Sequence, residues 1–419
     1  MKYKILVVGG TFNDVKNNTK AGYKGTISLD EHDNFNTIED NSITLEYGKQ
    51  SGLITKLITN LISYSSNITY YNGGNYYELN DILNDTPNYD IVFWFANVDN
   101  DLPKIRDVKA VAPKVMLVTS KRNDNSKYTT MEVVQRALAS KSNLIFEFSK
   151  KEDLFNMRVI DPLGCMWYDG TNLKEAIDSS MNRLSYLRSI TRQSTTKSSV
   201  DKGLVLAWYF DQFKENQYKS NKIVDIPNEQ DFIDLVKQYA TRFYEILNPG
   251  PKVERFLGNA SMRPKNPPQV GRCSRGMPSF RSNGYIFVSQ RNIDKKFIDL
   301  NHFVPCYLEN NKVYYCGDNK PSVDTPIQLR LYELFPNINY MIHAHVYMKD
   351  APYTELAIPC GALEEVAEIK RTIEHYYGSF TENRYIINLK GHGSIIMGNT
   401  IDDIKNISYF GRPMPEKFC

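Results

Sequence analysis

His343 and His345 lie two positions apart and follow the apolar pair Met341 and Ile342. On an extended strand, residues i and i+2 face the same side, so both rings can reach one point. His392 stands between Gly391 and Gly393 after the run YIINL, which reads as the end of a second strand. Flanking glycines let the backbone turn tightly there and bring a third ring close to the first two. Asp324 precedes His343, with the helix-like segment IQLRLYELF between them. A helix returning the chain to a strand sets that carboxylate at the mouth of the same site. Neutral imidazole nitrogens with a carboxylate nearby are the donor set of a divalent transition metal. A His-x-His pair alone is equally a pair of hydrogen-bonded strand residues. It is the order Asp, helix, strand with HxH, strand with HG that points to a metal.

The segments PSVDTP (from Pro321) and LYELFP (from Leu331), the HAH triplet and the later GHG before a small residue and an apolar run resemble the class II aldolase/adducin family. Within it the motifs are closest to the L-ribulose-5-phosphate 4-epimerase branch, which has aspartate where the L-fuculose-1-phosphate aldolase branch has glutamate. The resemblance implies Zn2+, or another divalent transition metal, on His343, His345 and His392, with Asp324 as the catalytic acidic residue. It implies that Gly258 and Asn259 form a turn cradling a substrate phosphate, with Ser289 and Ser322 as further phosphate contacts. It covers residues 230–405, roughly, and implies an α/β/α domain with a mostly antiparallel central sheet, in an assembly that is often a tetramer with sites between subunits. Three departures stand out. Gln290 follows Ser289 where the family has glycine, and Val323 follows Ser322 where it commonly has a second serine. The stretch VYMKDAPYTELAIPCGALEEV after His345 is shorter than the family's excursion, so its catalytic aspartate has only Asp350, Tyr353 and Glu355 as nearby candidates. The end of the chain leaves a short tail in which Tyr409 is the candidate for reaching a neighbouring subunit.

The elements that must position these residues occupy the second half of a 419-residue chain, a length that suggests two or three domains. Hydrophobic residues make up 41%, ample for sizeable cores, and a net charge of +3 with interspersed signs gives no clustered basic face for nucleic acid. No apolar run approaches the roughly 18 residues of a membrane span, and the six cysteines show no CxxC spacing. A soluble cytoplasmic protein with reduced thiols is the expectation.

From Lys4 to Gly10, KILVVGG is a continuous apolar run ending in glycines, the form of a buried parallel strand. A polar stretch, 11–43, reads as a long loop or small hairpin. In GKQSGLITKLITNLISY, Leu53, Leu57 and Leu61 alternate with Ile54, Ile58 and Ile62 at helical spacing. Strands at ITYY, YDIVFWFANV, KVMLVTS and NLIFEFS then alternate with helices at 77–85, 102–112 and 129–140, which argues for a doubly wound parallel sheet, Rossmann-like or flavodoxin-like. VVGGTFND lacks the full GxGxxG pattern and GKQSG lacks GxxxxGK[ST], so the ligand of this domain stays unassigned. A helix over 174–190 closes it.

The polar run 191–203 reads as a linker, giving domains at 1–190 and 204–419. Helices follow at 204–213 and in NEQDFIDLVKQYATRFYEILN. The loop 264–284, with Arg272, Arg275 and Arg281, fits either an anion site or a solvated insertion. LEEVAEIKRTIEHYY is an amphipathic helix with His375 solvated, and IDDIKNISYF reads as another helix start. The resulting expectation is a zinc-dependent aldehyde-lyase or epimerase acting through an enediolate on a phosphorylated, sugar-like small molecule. It would be a homo-oligomer, with neither nucleic acid nor membrane as partner. Two alternatives remain: a non-catalytic adducin-like interaction module, and a two-domain protein whose first sheet binds a nucleotide.

Overall fold

The computed structural model describes residues 2–8, 23–29, 35–38, 51–72, 89–95, 116–122, 132–134, 142–151, 154–161, 165–193, 230–247, 258–263, 286–309, 312–315, 319–358 and 361–409. The chain divides between Ser189 and Ile190 into two compact units. The expected helices at 77–85, 102–112 and 204–213, Gly9 and Gly10, nearly all of the linker and the arginine loop 264–284 lie outside the described residues.

The first unit contains β1 (Tyr3–Val8), β2 (Tyr23–Leu29), β3 (Phe35–Ile38), α1 (Ser51–Leu61), β4 (Ser65–Asn72), β5 (Ile91–Phe95), β6 (Met116–Arg122), β7 (Leu144–Lys151), β8 (Leu154–Ile160), β9 (Met166–Gly170) and α2 (Leu173–Gln193). Among the described residues, its nine strands form one sheet in the order β3-β2-β4-β1-β5-β6-β7-β8-β9. The run of five from β4 to β7 is parallel. Ile5, Val7, Phe93 and Phe146 on one face pack with Leu57 and Leu61 of α1 and Ile177, Met181 and Leu184 of α2. Leu6, Val92 and Trp94, of opposite parity, are buried as well, which is why these strands read as unbroken apolar runs.

The doubly wound parallel expectation therefore holds for the centre of the sheet, whereas both edges are antiparallel. The polar stretch after β1 supplies the hairpin β2–β3. The strands β8 and β9 were not foreseen, because their pattern is interrupted by charge. Arg158 on β8 stands directly opposite Glu147 on β7 and pairs with it at 2.7 Å. Neutralisation across the ladder lets polar residues sit in a strand, and it is invisible until the partner strand is known.

The second unit contains α3 (Gln230–Leu247), β10 (Asn259–Met262), β11 (Ile286–Ser289), β12 (Phe303–Glu309), β13 (Lys312–Tyr315), α4 (Thr325–Leu334), β14 (Tyr340–Ala344), α5 (Glu364–Tyr376), β15 (Arg384–Leu389) and β16 (Gly393–Gly398). Among the described residues, its seven strands run β13-β12-β11-β10-β14-β16-β15, every neighbouring pair antiparallel. Phe232, Ile233, Val236 and Tyr239 of α3 cover one face, over Met262, Phe287, Tyr340, Ile342 and Ile396. Ile327 and Leu331 of α4 and Ile369 and Ile373 of α5 cover the other, over Val288, Met341, Ile387, Ile395 and Met397. This is an α/β/α sandwich around an antiparallel sheet.

Two local expectations change. Between β16 and Tyr409 the described residues make only a 3-10 turn, Asp402–Ile404, and Asn406 at φ 56° takes the backbone out of the helical region. Tyr409 packs edge-on against Phe243 of α3 at 5.4 Å, so its ring belongs to this unit's own core. Among the described residues, no helix is long and apolar enough to cross a membrane, and Cys165 and Cys306 carry thiols rather than disulfides.

Candidate metal centre

Strand β14 is central, hydrogen-bonded on one side to β10 (Asn259 opposite His343) and on the other to β16 (Ile395 opposite His343, Ser394 opposite Ala344). His345 follows just beyond its last residue. His392 occupies the tight turn from β15 to β16. Gly391 at φ 70° and Gly393 at φ 134° make that turn possible. A Cβ on Gly393 would overlap the Ala344 carbonyl oxygen and lie 2.7 Å from His345 Cα. The turn thus rests directly on the end of β14, bringing the third ring to the other two. Ring centroids are 5.0 Å apart for His343 and His345, 4.5 Å for His343 and His392, and 5.2 Å for His345 and His392.

Polar ties hold this geometry. Gly391 N donates to Tyr347 Oη at 2.9 Å, and Ser394 Oγ donates to the Val346 carbonyl at 2.6 Å. The Asn388 side chain accepts from Met348 N at 2.8 Å and donates to Met348 O at 2.9 Å. The segment after His345 is therefore sewn to the same turn that carries His392.

All three imidazoles are buried. His343 Nδ1 lies 2.9 Å from the Ser394 carbonyl, which can only accept, so Nδ1 carries the proton and Nε2 the lone pair. His392 Nδ1 lies 2.6 Å from Glu365 Oε1, which assigns its lone pair to Nε2 in the same way. Burial, reinforced by the neighbouring His392 ring, pushes the His343 pKa down to about 4. Burial and the other two rings hold His345 well below the usual imidazole range. Both are neutral at pH 7, the form a metal requires. Burial raises the Glu365 carboxyl, against the opposing pull of His392.

One ring nitrogen from each imidazole lies within 4.8 Å of those of the other two. His343 Nε2 and His345 Nδ1 are buried with no hydrogen-bond partner. An unsatisfied buried polar atom costs roughly 1–3 kcal/mol, and a cation accepting those lone pairs removes that cost. The donor set, three imidazoles with a carboxylate close by, fits a divalent transition metal.

Asp324 is that carboxylate. It sits at the N-cap of α4 without using its side chain to cap the helix. Instead Oδ2 accepts from Asn259 Nδ2 at 2.8 Å and lies 4.0 Å from His343 Nε2. Gln328, one turn into α4, donates in turn to Asn259 Oδ1. Gly258 adopts φ 86°, and a Cβ there would lie 2.7 Å from the His343 carbonyl oxygen, so a side chain would push β10 off β14. Ser289 Oγ accepts from Ala260 N at 3.0 Å, and Ser322 N donates to the Ser289 carbonyl at 3.1 Å. The two serines are thereby brought together next to the approach to Asp324, each hydroxyl keeping its own proton to donate.

The candidates after His345 are placed differently. Asp350 takes a turn conformation at φ 58°, Tyr353 lies tilted against Tyr347 with ring centroids 5.2 Å apart and is 37% exposed, and Glu355 is exposed. His375 is exposed on α5, as expected.

Sequence reasoning missed Glu365, Gln328 and Lys295. Glu365 sits in the first turn of α5 beside Glu364, where acids are ordinary because they complement the helix dipole. Lys295 lies in a polar loop, yet it is buried, with its pKa lowered to about 8, chiefly by burial. Nothing local in the sequence distinguishes either residue.

Residues 252–349 match the family described as the Class II Aldolase and Adducin N-terminal domain. The match bears out the resemblance read from the motifs and spans Asp324, His343 and His345; His392 lies beyond it. No curated protein matches the chain. Solved structures similar to it include an L-fuculose 1-phosphate aldolase, with 16% identity, a TM-score of 0.28, and coverage of 43% of this chain and 80% of that one. A sugar-phosphate aldolase from Thermotoga maritima gives 12%, 0.28, 41% and 88% in the same order. A DNA/pantothenate metabolism flavoprotein from Streptococcus pneumoniae gives 12%, 0.28, 45% and 99%. At these identities and scores the likenesses carry nothing about chemistry.

Proposed function

We propose that the second unit is a divalent-metal-dependent aldehyde-lyase or epimerase acting on a phosphorylated sugar or sugar-like compound. The observation that supports it most is the convergence of His343, His345 and His392, with buried lone pairs facing one another and Asp324 beside them. A module kept only for assembly would gain nothing from three such rings and would bear their desolvation. A divalent ion held there, zinc or another transition metal, would polarise a substrate carbonyl and stabilise the enediolate through which aldol cleavage and epimerisation pass.

The protein's own residues supply the rest. The Ser394 carbonyl and Glu365 hold two rings in the tautomer that presents Nε2. Asp324, held by Asn259 and Gln328, is placed to accept a hydrogen bond or proton from a substrate hydroxyl at the edge of the centre. Gly258, Asn259, Ser289 and Ser322 are the contacts we assign to the anionic end of the substrate. Domains at 1–190 and 204–419 joined by 191–203, a homo-oligomeric state and a cytoplasmic location belong to the same proposal.

Elemental analysis of purified wild type, His343→Ala and His392→Ala tests it. Near-stoichiometric metal in wild type, lost in both variants, is expected, followed by aldol cleavage or epimerisation in a screen of sugar phosphates. Wild type that takes up no zinc, manganese or cobalt would sink the reading in favour of an interaction module.

A further inference from the structure

Asp324 is fixed at its backbone as well as at its side chain. Its N donates to Ser322 Oγ at 3.4 Å, and its carbonyl accepts from Gln328 N at 3.0 Å. The carboxylate therefore moves only by side-chain rotation, and Asn259 restrains that rotation by donating from Nδ2 to Oδ2 at 2.8 Å. Asn259 stands on β10 directly opposite His343, so the restraint is built on the strand pair that carries the first histidine. Gln328 Nε2 donates to Asn259 Oδ1, which leaves Asn259 only N–H groups to turn toward Asp324. A flipped Asn259 amide would set its oxygen against the carboxylate and its N–H against that of Gln328. Both amides are buried, and Gln328 Oε1 has no hydrogen-bond partner among the described residues. Burying an amide with its acceptor unsatisfied is unfavourable, and the side-chain hydrogen bond that offsets it is the one to Asn259.

The oxygen that Asn259 holds is the one that faces the rings. Oδ2 lies 4.0 Å from His343 Nε2, whereas an imidazole nitrogen and a carboxylate oxygen on one tetrahedral zinc lie about 3.4 Å apart. Among the described residues, the side chains able to share one ion are the three histidines, without Asp324. To join them, Oδ2 must give up its bond to Asn259. We propose that Gln328 and Asn259 are positioning residues that keep the Asp324 carboxylate off the metal, so that the ion stays open to substrate oxygens and the carboxylate is kept as the acceptor of a substrate proton. The assignment rests on the metal-enzyme reading above and deepens it, since it decides whether the acid at the N-cap of α4 serves the ion or the substrate. Asn259 Nδ2 keeps a second hydrogen, so the same amide can also meet the anionic end of the substrate.

The test pairs two readouts that move in opposite directions. Chelator competition measures the zinc affinity of the full chain for wild type, Gln328→Met and Asn259→Leu, and the zinc-loaded proteins are titrated calorimetrically with acetohydroxamate, which offers a metal two oxygens. Release of the carboxylate onto zinc should tighten zinc and weaken acetohydroxamate. One hydrogen bond to a charged group corresponds to about 10-fold in an equilibrium constant, so Asn259→Leu should shift both affinities by that much. Gln328→Met loses only the bond that orients Asn259 and should shift both a few-fold in the same directions. Added to Asp324→Ala, Gln328→Met should leave both affinities within twofold, because no carboxylate remains to be released. Damage to packing alone would weaken zinc and acetohydroxamate together. Zinc affinity equal to or below wild type in both variants overturns the proposal, as does tightening that persists in Asp324→Ala, or a zinc-loaded wild type that takes no acetohydroxamate. If either variant is unfolded by circular dichroism, Gln328→Leu or Asn259→Ala replaces it. A wild type that binds no zinc overturns the metal reading itself, and the restraint falls with it.

Discussion

Replacing Glu365 isolates what its carboxylate contributes to the metal centre. Its Oε1 meets His392 Nδ1 at 2.6 Å with both side chains buried, so no water can substitute for it. Hydrogen bonds to charged groups contribute about 1.5–3 kcal/mol, and 1.4 kcal/mol is about tenfold in an equilibrium constant. Partners of this kind typically account for about 10–100-fold in metal affinity. Glu365→Gln keeps an acceptor oxygen in the same volume but loses the charge, so its zinc affinity should fall about 10-fold. Glu365→Ala leaves Nδ1–H without its acceptor and frees the ring to rotate, and the fall should approach 100-fold. Competition with a chromophoric chelator measures both. Nitrogen-15 NMR of the metal-free proteins should show His392 as a single Nδ1–H tautomer in wild type and as a mixture in Glu365→Ala. A zinc affinity unchanged within twofold in both variants, with the tautomer unchanged, would refute the positioning argument.

Two further outcomes follow from the same geometry. Gly393→Ala forces a Cβ into the backbone at Ala344 and His345 in a φ 134° conformation, a strain of about 2 kcal/mol. Thermal denaturation should show the second unit melting roughly 4–8 °C lower, together with weaker metal binding, and an unchanged melt would contradict the close approach. The folded-state pKa of His343 is depressed from 6.5 to about 4, so its contribution to stability is complete above pH 6.5 and is lost as pH falls toward 4. Metal-free protein should lose about 3 kcal/mol across that window, with His345 acting in the same direction. Glu365, raised by burial, runs the other way, favouring the fold at low pH and losing that contribution as pH rises. Urea unfolding of Glu365→Gln at pH 7, 5.5 and 4.5 removes that opposing contribution, and a flat profile there would mean that the imidazoles are not desolvated as described.

The convergence of His343, His345 and His392 was legible because their spacing encodes direction. An HxH on a strand faces one way, and glycines on both sides of His392 announce a turn that only glycine makes. The parallel centre of the first sheet was legible from periodicity, whereas the α/β/α class of the second unit came from the family resemblance of its motifs. The antiparallel edges were not legible. On β8, Arg158 looks like a strand breaker until Glu147 is known to stand opposite it.

The second layer of the site was equally hidden. Glu365 looks like a helix-dipole acid, and Gln328 like a polar residue on an amphipathic helix. Each acquires its role from a side chain 27 or more positions away, as the Glu365–His392 and Gln328–Asn259 contacts show. By itself the sequence determined which atoms could bind a metal and where the apolar central strands and the amphipathic helices fall, since those depend on residue type and local repeat. Only the tertiary structure decided the tautomer of each ring, the partner of Asp324 and the burial of Lys295. These are set by distances between segments and by loss of water, and neither quantity is written in any local pattern.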